Sequence, residues 1–241
     1  MNGSTTATKS LLEMDRVVAG YGQTPVLFDI SMTVNEGDIV CLLGRNGVGK
    51  TTLLRSIIGL NTPNSGTISF GGKDITKTPT YQRARQGIAY IPQGREIIPY
   101  LSVLDNLKMG FSASGKKGNK IPSEIFDFFP MLNEHLQRQG GLLSGGQQQQ
   151  LAIARGLMCN PKIMLLDEPT EGIQPSIVQE IEDTLRRINK EKGITVVVVE
   201  QKIEFARKLA QKFFIMEKGA IVERGTTDLL TDELLHRYLA V

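Results

Sequence analysis

The chain carries two cysteines, two histidines and no tryptophan in 241 residues. Cys41 and Cys159 are far apart and in no metal-binding spacing, which excludes a disulfide framework or a cysteine-rich metal centre. Both lie in apolar surroundings and read as buried free thiols of a reducing compartment. The histidines, His135 and His236, fall away from strand ends and read as surface residues. Long apolar runs are also missing. Thr195-Val196-Val197-Val198-Val199 has the length of a strand, well short of the ~20 residues that span a bilayer. Residues 1–9 are polar and lack the apolar core of a secretory leader. On its own the chain therefore reads as soluble and cytoplasmic, with any membrane association through a partner. Neither sign of charge dominates: the net charge is +3 and the pI near 8.8. A nucleic-acid-binding protein concentrates basic residues on one face. The one basic cluster here, Lys116, Lys117 and Lys120, lies among Ser, Gly and Asn without aromatics and reads as a solvated loop. No nucleic-acid partner is expected.

What is present is glycine in a telling place. Gly44-Arg45-Asn46-Gly47-Val48-Gly49-Lys50-Thr51-Thr52 follows the apolar run Ile39-Val40-Cys41-Leu42-Leu43 and precedes a helix-like stretch at 53–60. The pattern G-x-x-x-x-G-K-[ST] between a buried strand and a helix arises by accident in roughly one chain in a hundred of this length. Glycines let the backbone curl with its N–H groups turned inward on phosphate oxygens. A helix starting at about Gly49 adds the positive end of its dipole to the same spot. Lys50 would reach the β- and γ-phosphates, and the Thr51 hydroxyl would ligate Mg²⁺. This is a nucleotide phosphate site.

Around it the sequence alternates strands and helices. Residues 11–35 read as three short antiparallel strands (12–14, 26–28 and 30–34) punctuated by Gly20-Tyr21-Gly22. Strand signals follow at 39–43, 67–72 (entering a hairpin), 87–91, 162–166 and 195–199, with a closing hairpin of 213–216 and 220–223. Helical patterns fall at 177–190 and 202–212, with a short one near 232–239. Between 94 and about 140 the helical segments 103–110, 123–129 and 131–138 alternate with Gly/Ser/Lys loops, which suggests an inserted helical subdomain. The fold class expected is α/β, a mostly parallel sheet with an N-terminal antiparallel part.

Two further stretches carry chemistry. Ile163-Met164-Leu165-Leu166-Asp167-Glu168 is a buried strand ending abruptly in two carboxylates. Parallel strands deliver ligand-binding residues at their carboxyl ends, so Asp167 should lie beside the phosphate loop and hold Mg²⁺ directly or through water. Glu168 would project to the other side and polarise an attacking water. Leu143-Ser144-Gly145-Gly146-Gln147 arises by chance in about one in a few thousand chains of this length. Ser144 is a good N-cap, and the glycines would leave the first N–H groups of a helix at 147–157 bare, making a second anion site.

The phosphate loop, Leu143 to Gln147 and Leu166-Asp167-Glu168-Pro169-Thr170 together resemble the nucleotide-binding subunit of an ABC transporter, over nearly the whole chain from Leu11 onward. The resemblance implies one ATPase domain spanning 1–241. Its core with the antiparallel β-subdomain would occupy 1–92 and 155–241, and a helical subdomain 93–154. It also implies a head-to-tail pair of subunits, each presenting Ser144, Gly145, Gly146 and Gln147 in trans to ATP held by the other's Gly44–Thr52. Tyr21 matches the aromatic that stacks on adenine. Gln93 matches the glutamine that contacts Mg²⁺ and water and joins the two subdomains. Gln201 stands where the family usually has a switch histidine, and Gln174 where many members have an aspartate that signals across the dimer. Gln201 can hydrogen-bond phosphate but cannot carry charge. Weaker hydrolysis at this subunit's own site follows, with a histidine-bearing second ATPase in a heterodimer.

Gly94-Arg95-Glu96-Ile97-Ile98-Pro99 and Val199-Glu200-Gln201 resemble one of the two ATPases of branched-chain amino-acid type importers. Cys41 to Leu54, Gln147-Gln148-Gln149-Gln150 and Glu171-Gly172-Ile173-Gln174-Pro175-Ser176 look closer still to the urea-importer branch, at its second (E-type) ATP-binding subunit. The glutamine run also reads as a polar helix face. The resemblance implies two membrane permease subunits contacted around 93–99, an extracytoplasmic substrate-binding protein met indirectly, and a peripheral place on the cytoplasmic face of the membrane. Catalysis would fall to Glu168, Lys50 and Gln201, with Thr51, Gln93 and Asp167 toward the metal. A soluble ABC-type ATPase acting on ribosomes or DNA is a rival reading, as is a phosphate-loop kinase. The first usually carries two nucleotide domains or long coiled coils, and the second has no use for a second anion-binding helix end.

Overall fold

A computed structural model describes residues 9–22, 24–115 and 120–238. Lys116 and Lys117 of the basic cluster, the side chain of His236 and residue 239 of the terminal helix lie outside the described residues. The chain opens with two long strands, β1 (Ser10–Tyr21) and β2 (Thr24–Asn35), paired antiparallel. The sequence suggested three short strands; the structure has two, broken by register shifts. Arg16 and Asp29 take left-handed backbone at φ 48° and 53°. Such bulges twist a ribbon without ending it, which is why the apolar alternation lapses while pairing continues.

Next come β3 (Ile39–Leu43), α1 (Lys50–Ile58), β4 (Ser65–Phe70), β5 (Lys73–Asp74), α2 (Thr80–Gln86) and β6 (Ile88–Ile91). Helix α2 has no counterpart in the sequence reading, because only Arg83 of it is buried. The helical segment follows as α3 (Val103–Ser114), α4 (Ser123–Phe128), α5 (Pro130–Glu134) and α6 (Gly145–Leu157). The remainder is β7 (Ile163–Asp167), α7 (Pro175–Lys192), β8 (Thr195–Glu200), α8 (Ile203–Leu209), β9 (Lys212–Glu217), β10 (Ala220–Thr226) and α9 (Asp232–Tyr238).

One sheet runs β2-β1-β4-β5 and is antiparallel; the other runs β10-β9-β3-β8-β7-β6, parallel except at the β10 edge. Strands β3, β7 and β8 are buried at every position, as runs of Val, Ile and Leu covered on both faces must be. Their side chains divide the core into two layers. Val40, Leu42, Ile163, Leu165, Val197 and Val199 face the antiparallel sheet and α1. Cys41, Leu43, Met164, Leu166, Val196 and Val198 face the helices α3 to α8. Each fully buried aliphatic contributes about 1.5–3 kcal/mol.

Helix α6 carries the chain from its glycine-rich start down to the sheet, where Gly156 rests against Ile91 and Met164. A boundary at 154/155 thus falls inside one helix. The glutamine run on α6 is not a solvated face: Gln149 and Gln150 are 3% and 7% exposed. Gln148 donates to the Leu143 carbonyl (3.1 Å), and Gln150 donates to Glu180 of α7 (3.0 Å). The helix is enclosed on too many sides for four consecutive residues all to reach water. Cys41 is buried as expected, whereas Cys159 is only partly so and donates its thiol to the Gly110 carbonyl at 3.4 Å. Both are free, and burial raises both thiol pKa values.

The parallel register sets the site. Leu43 is level with Glu200, Asp167 with Val199, and Ile91 with Leu166. The carboxyl ends of four adjacent strands therefore line one edge, where open α/β sheets bind ligands.

Candidate active site

Beyond β3 the chain turns through Gly44, where a Cβ would stand 2.7 Å from the Met216 carbonyl oxygen. Gly47 and Gly49 take left-handed backbone at φ 78° and 106°. Gly49 is the N-cap of α1 and, having no side chain, leaves the helix's first amides without a side-chain acceptor. An uncapped helix N-terminus behind a curled loop is a ready anion site. Lys50 is 4% exposed, and its ammonium donates to the carbonyls of Gly44 (2.8 Å) and Arg45 (3.0 Å). The Glu168 carboxylate stands 3.4 Å away.

Strand β7 ends at Asp167, and Glu168 turns away through a left-handed residue at φ 47°. Such a conformation in a non-glycine residue costs about 1–3 kcal/mol and recurs at functional sites. It aims Glu168 at the phosphate loop beside Lys50. Gln201, just past β8, completes the group. Its amide donates to Asn46 (2.6 Å) and to Glu168 (3.1 Å). Because β8 is the direct neighbour of β3, the residue after β8 lands on the phosphate loop.

Asp167 is 1% exposed. It accepts from the Thr51 hydroxyl (3.2 Å) and from the Tyr90 hydroxyl (3.1 Å). Burial raises its pKa, partly offset by those two hydrogen bonds. Burial and the adjacent Asp167 charge push the Tyr90 phenol well up. Asp167 makes no ion pair among the described residues. A desolvated carboxylate beside a hydroxyl, with no cation of its own, is a hard-oxygen donor set that suits Mg²⁺. Among the described residues no cluster of three His, Cys, Asp or Glu could hold a metal alone.

Tyr21 lies at the edge of this group, half exposed, its hydroxyl 3.4 Å from that of Thr52 and 3.5 Å from Arg55. The Thr52 contact lowers its pKa. Gln93 makes no hydrogen bond to Thr51 or Asp167, whose partners are each other and Tyr90. Its amide donates to Glu171 at 2.9 Å, because the chain leaves β6 toward the loop that follows β7. Ser144 to Gln147 make no hydrogen bond to the phosphate loop of the same chain. Helix α6 begins at Gly145 rather than Gln147, and its start is closed by a capping box. Ser144 accepts from the Gln147 amide (3.3 Å), and the Gln147 side chain accepts from the Ser144 amide (3.0 Å). Only the Gly145 and Gly146 amides stay bare. Gln174 is exposed at the N-cap of α7, with no side-chain cap bond.

Two contributors escaped the sequence reading. Tyr90 carries no motif, and only its place beside β7 puts it on Asp167. Glu200 is 3% exposed and accepts from the hydroxyl (2.7 Å) and amide (3.2 Å) of Thr170 and from the Gln201 amide (3.1 Å). It joins the turn after Glu168 to the residue after β8. A carboxylate ending a run of four valines was the available signal.

The geometry agrees with relatives. Residues 27–171 match the ABC transporter family. The high-affinity branched-chain amino acid transport ATP-binding protein BraG of Pseudomonas aeruginosa is 39% identical, over 90% of this chain and 93% of its own. The probable branched-chain amino acid transport ATP-binding protein LivF of Archaeoglobus fulgidus is 33% identical, over 92% and 94%. These names stand closer to the branched-chain expectation than to urea. A nucleotide-free ATP-binding cassette from an ABC transporter superposes with a TM-score of 0.83 at 27% identity, covering 96% of both chains. The dimeric post-hydrolysis cassette MJ0796, bound to ADP and phosphate, gives 0.80 at 25% identity, covering 90% of this chain and 99% of its own. The chain belongs to the ABC transporter family, as an ATP-binding subunit whose ATP hydrolysis is coupled to transport.

Proposed function

We propose that the chain is the ATPase of an importer of the branched-chain amino-acid type, hydrolysing ATP at a head-to-tail interface with a second ATPase subunit. The observation that carries the reading is the convergence of Lys50, Thr51, Asp167, Glu168 and Gln201 at one sheet edge. Lys50 and the bare amides at the start of α1 hold the phosphate chain and the charge that develops on it. Thr51 and Asp167 would hold Mg²⁺, with Gln93 joining them, and a bound ion would supply positive charge beside the phosphates. Glu168, fixed by its backbone turn and by Gln201, accepts the proton of the attacking water. The second subunit's counterpart of the Ser144–Gln147 segment completes the site from the opposite side, in keeping with the dimeric solved relative. Because the site closes only in the pair, hydrolysis is tied to association and reopening.

The permeases dock on the apolar cleft of about 390 Å³ between the end of α1 and the helical segment, lined by Ile58, Leu60, Ile98 and Met109. No helix among the described residues is long and apolar enough to cross a membrane. The chain sits peripherally at the cytoplasmic face through that contact.

Urea is the second reading, favoured by Gln147 to Gln150 and by 171–176. The test is ATPase activity of the reconstituted complex with binding protein loaded with leucine, urea or a short amide. Stimulation by leucine alone supports the first reading and by urea alone the second. No stimulation by any of them, in a complex that holds both permeases, sinks the importer assignment.

A further inference from the structure

Gln93 stands at the head of an unusual stretch of backbone. Gly94, Arg95 and Glu96 are all left-handed, at φ 81°, 71° and 45°. Two of them carry side chains, so the conformation persists only because neighbours impose it. Arg155, from the last turn of α6, donates to the carbonyls of Arg95 (3.2 Å) and Glu96 (2.8 Å). Arg95 itself donates to the Glu171 carbonyl at 3.2 Å, with its guanidinium against Gly145 at the start of α6. The Glu171 carboxylate takes the Gln93 amide at 2.9 Å. The Glu171 amide in turn donates to the Glu168 carbonyl at 3.2 Å. Two loops thus meet at Glu171, the one after β6 and the one after β7, and Arg95 carries the contact on to the glycine-rich helix start.

We propose that Glu171 is a positioning residue that holds the Gln93 amide away from Thr51 and Asp167, releasing it only when the 93–96 loop rearranges. This rests on the reading of Gln93 as a participant in hydrolysis. The carboxylate accepts from Gln93 while Arg95 anchors the same residue through its backbone, so the loop has two tethers on one residue. Removing the carboxylate cuts the tether to Gln93 and leaves the Arg95 tether in place. The resting subunit then hydrolyses ATP before its partners signal.

The test uses the assembled transporter with Glu171→Ala, Glu171→Gln and Gln93→Ala, and Glu171→Ala combined with Gln93→Ala. Loss of one charge-assisted hydrogen bond predicts a basal ATPase rate raised about tenfold in Glu171→Ala. Amide hydrogen exchange across 93–97 should quicken in the same variant, with the thermal midpoint unchanged. Glu171→Gln stays near the parent, because its amide oxygen still accepts from Gln93. In the Gln93→Ala background Glu171→Ala adds nothing. An unchanged basal rate and unchanged exchange in Glu171→Ala would overturn the proposal, as would an equal rise without Gln93. Should Gln93→Ala alone leave the rate at the parental value, Gln93 has no part in hydrolysis. The failure then lies in that underlying reading, and the proposal falls with it.

Discussion

Two helices in this chain have glycine-flanked N-termini, and they are finished in opposite ways. Helix α1 starts at an uncapped Gly49, while α6 starts at Ser144 with both halves of a capping box formed. A good cap is worth about 0.5–2 kcal/mol. At α1 that stability is forgone and the amides stay open; at α6 it is kept and only two glycine amides remain. The surroundings differ likewise. Beside α1 lie a buried lysine, a left-handed Glu168 and a desolvated Asp167, all costly to fold and all useful to phosphate or its metal. Beside α6, Gly146 is pressed on Ile177 of α7 and Gly145 lies against the Arg95 guanidinium, with no buried carboxylate or lysine beside them among the described residues. The first end is built as a binding site within one chain. The second is a stable structural end whose two uncapped glycine amides are what the proposed pairing would present to a second subunit.

The largest effect expected at the α1 end is from Glu168→Gln. Removing a general base should lower turnover by about 10²–10⁴ with ATP binding intact, measured by steady-state hydrolysis and nucleotide binding. Turnover within twofold of the parent would remove Glu168 from that role. Lys50→Ala should weaken ATP binding to the isolated chain by about 10–100-fold, since a buried charge-assisted contact is lost. Asp167→Asn should raise the thermal midpoint in metal-free buffer while abolishing hydrolysis. The sign follows from burial. A carboxyl whose native pKa is raised contributes stability below its ordinary value of 3.8 and loses it as pH rises through the raised one. At neutral pH the charge is a net cost, so the gain from Asn should shrink on acidification toward the ordinary aspartate range. A fall in midpoint at neutral pH would contradict this. Ser144→Ala should lower stability by about 1 kcal/mol, a shift of about 2–4 °C, and leave ATP affinity of the isolated chain within about twofold. If Ser144→Ala weakened ATP binding in the isolated chain as Lys50→Ala does, the contrast between the two ends would collapse.

The α1 end was far more legible in sequence than what surrounds it. Gly44 to Thr52 and Asp167 announce themselves because strand, loop and helix are contiguous, and because an apolar run ending in acid marks a strand's carboxyl end. Tyr90 and Glu200 do not, since each matters through a neighbouring strand, and strand order is a tertiary fact. The two N-terminal strands read as three because bulges at Arg16 and Asp29 interrupt the alternation that marks a strand. The glutamines of α6 read as a solvent face because four polar residues in a row suggest one; enclosure between sheet and α7 decided otherwise. Gln93 was legible as a residue but not in its position, which depends on a carboxylate 78 residues away in the chain.

The smallest effect expected at the α1 end is also the sharpest probe of how finished that site is. Gln201 donates from one nitrogen to both Asn46 and Glu168, tying the phosphate loop to the proposed base. A neutral imidazole has a single N–H and cannot make both bonds from one atom, but it can take up a proton that an amide cannot. Gln201→His should therefore change two things in the assembled complex. Turnover should rise by about two- to tenfold, because a group able to carry charge now faces the phosphate. The rate should also acquire an inflection near the ordinary histidine pKa of about 6.5, which Gln201 cannot supply in the parent. An unchanged rate would mean that Gln201 already does what a histidine does there, and that hydrolysis at this subunit's own site is not weak. A faster rate with a flat pH profile would instead place the gain in geometry, with Asn46 released from Gln201 and the loop free to close on phosphate.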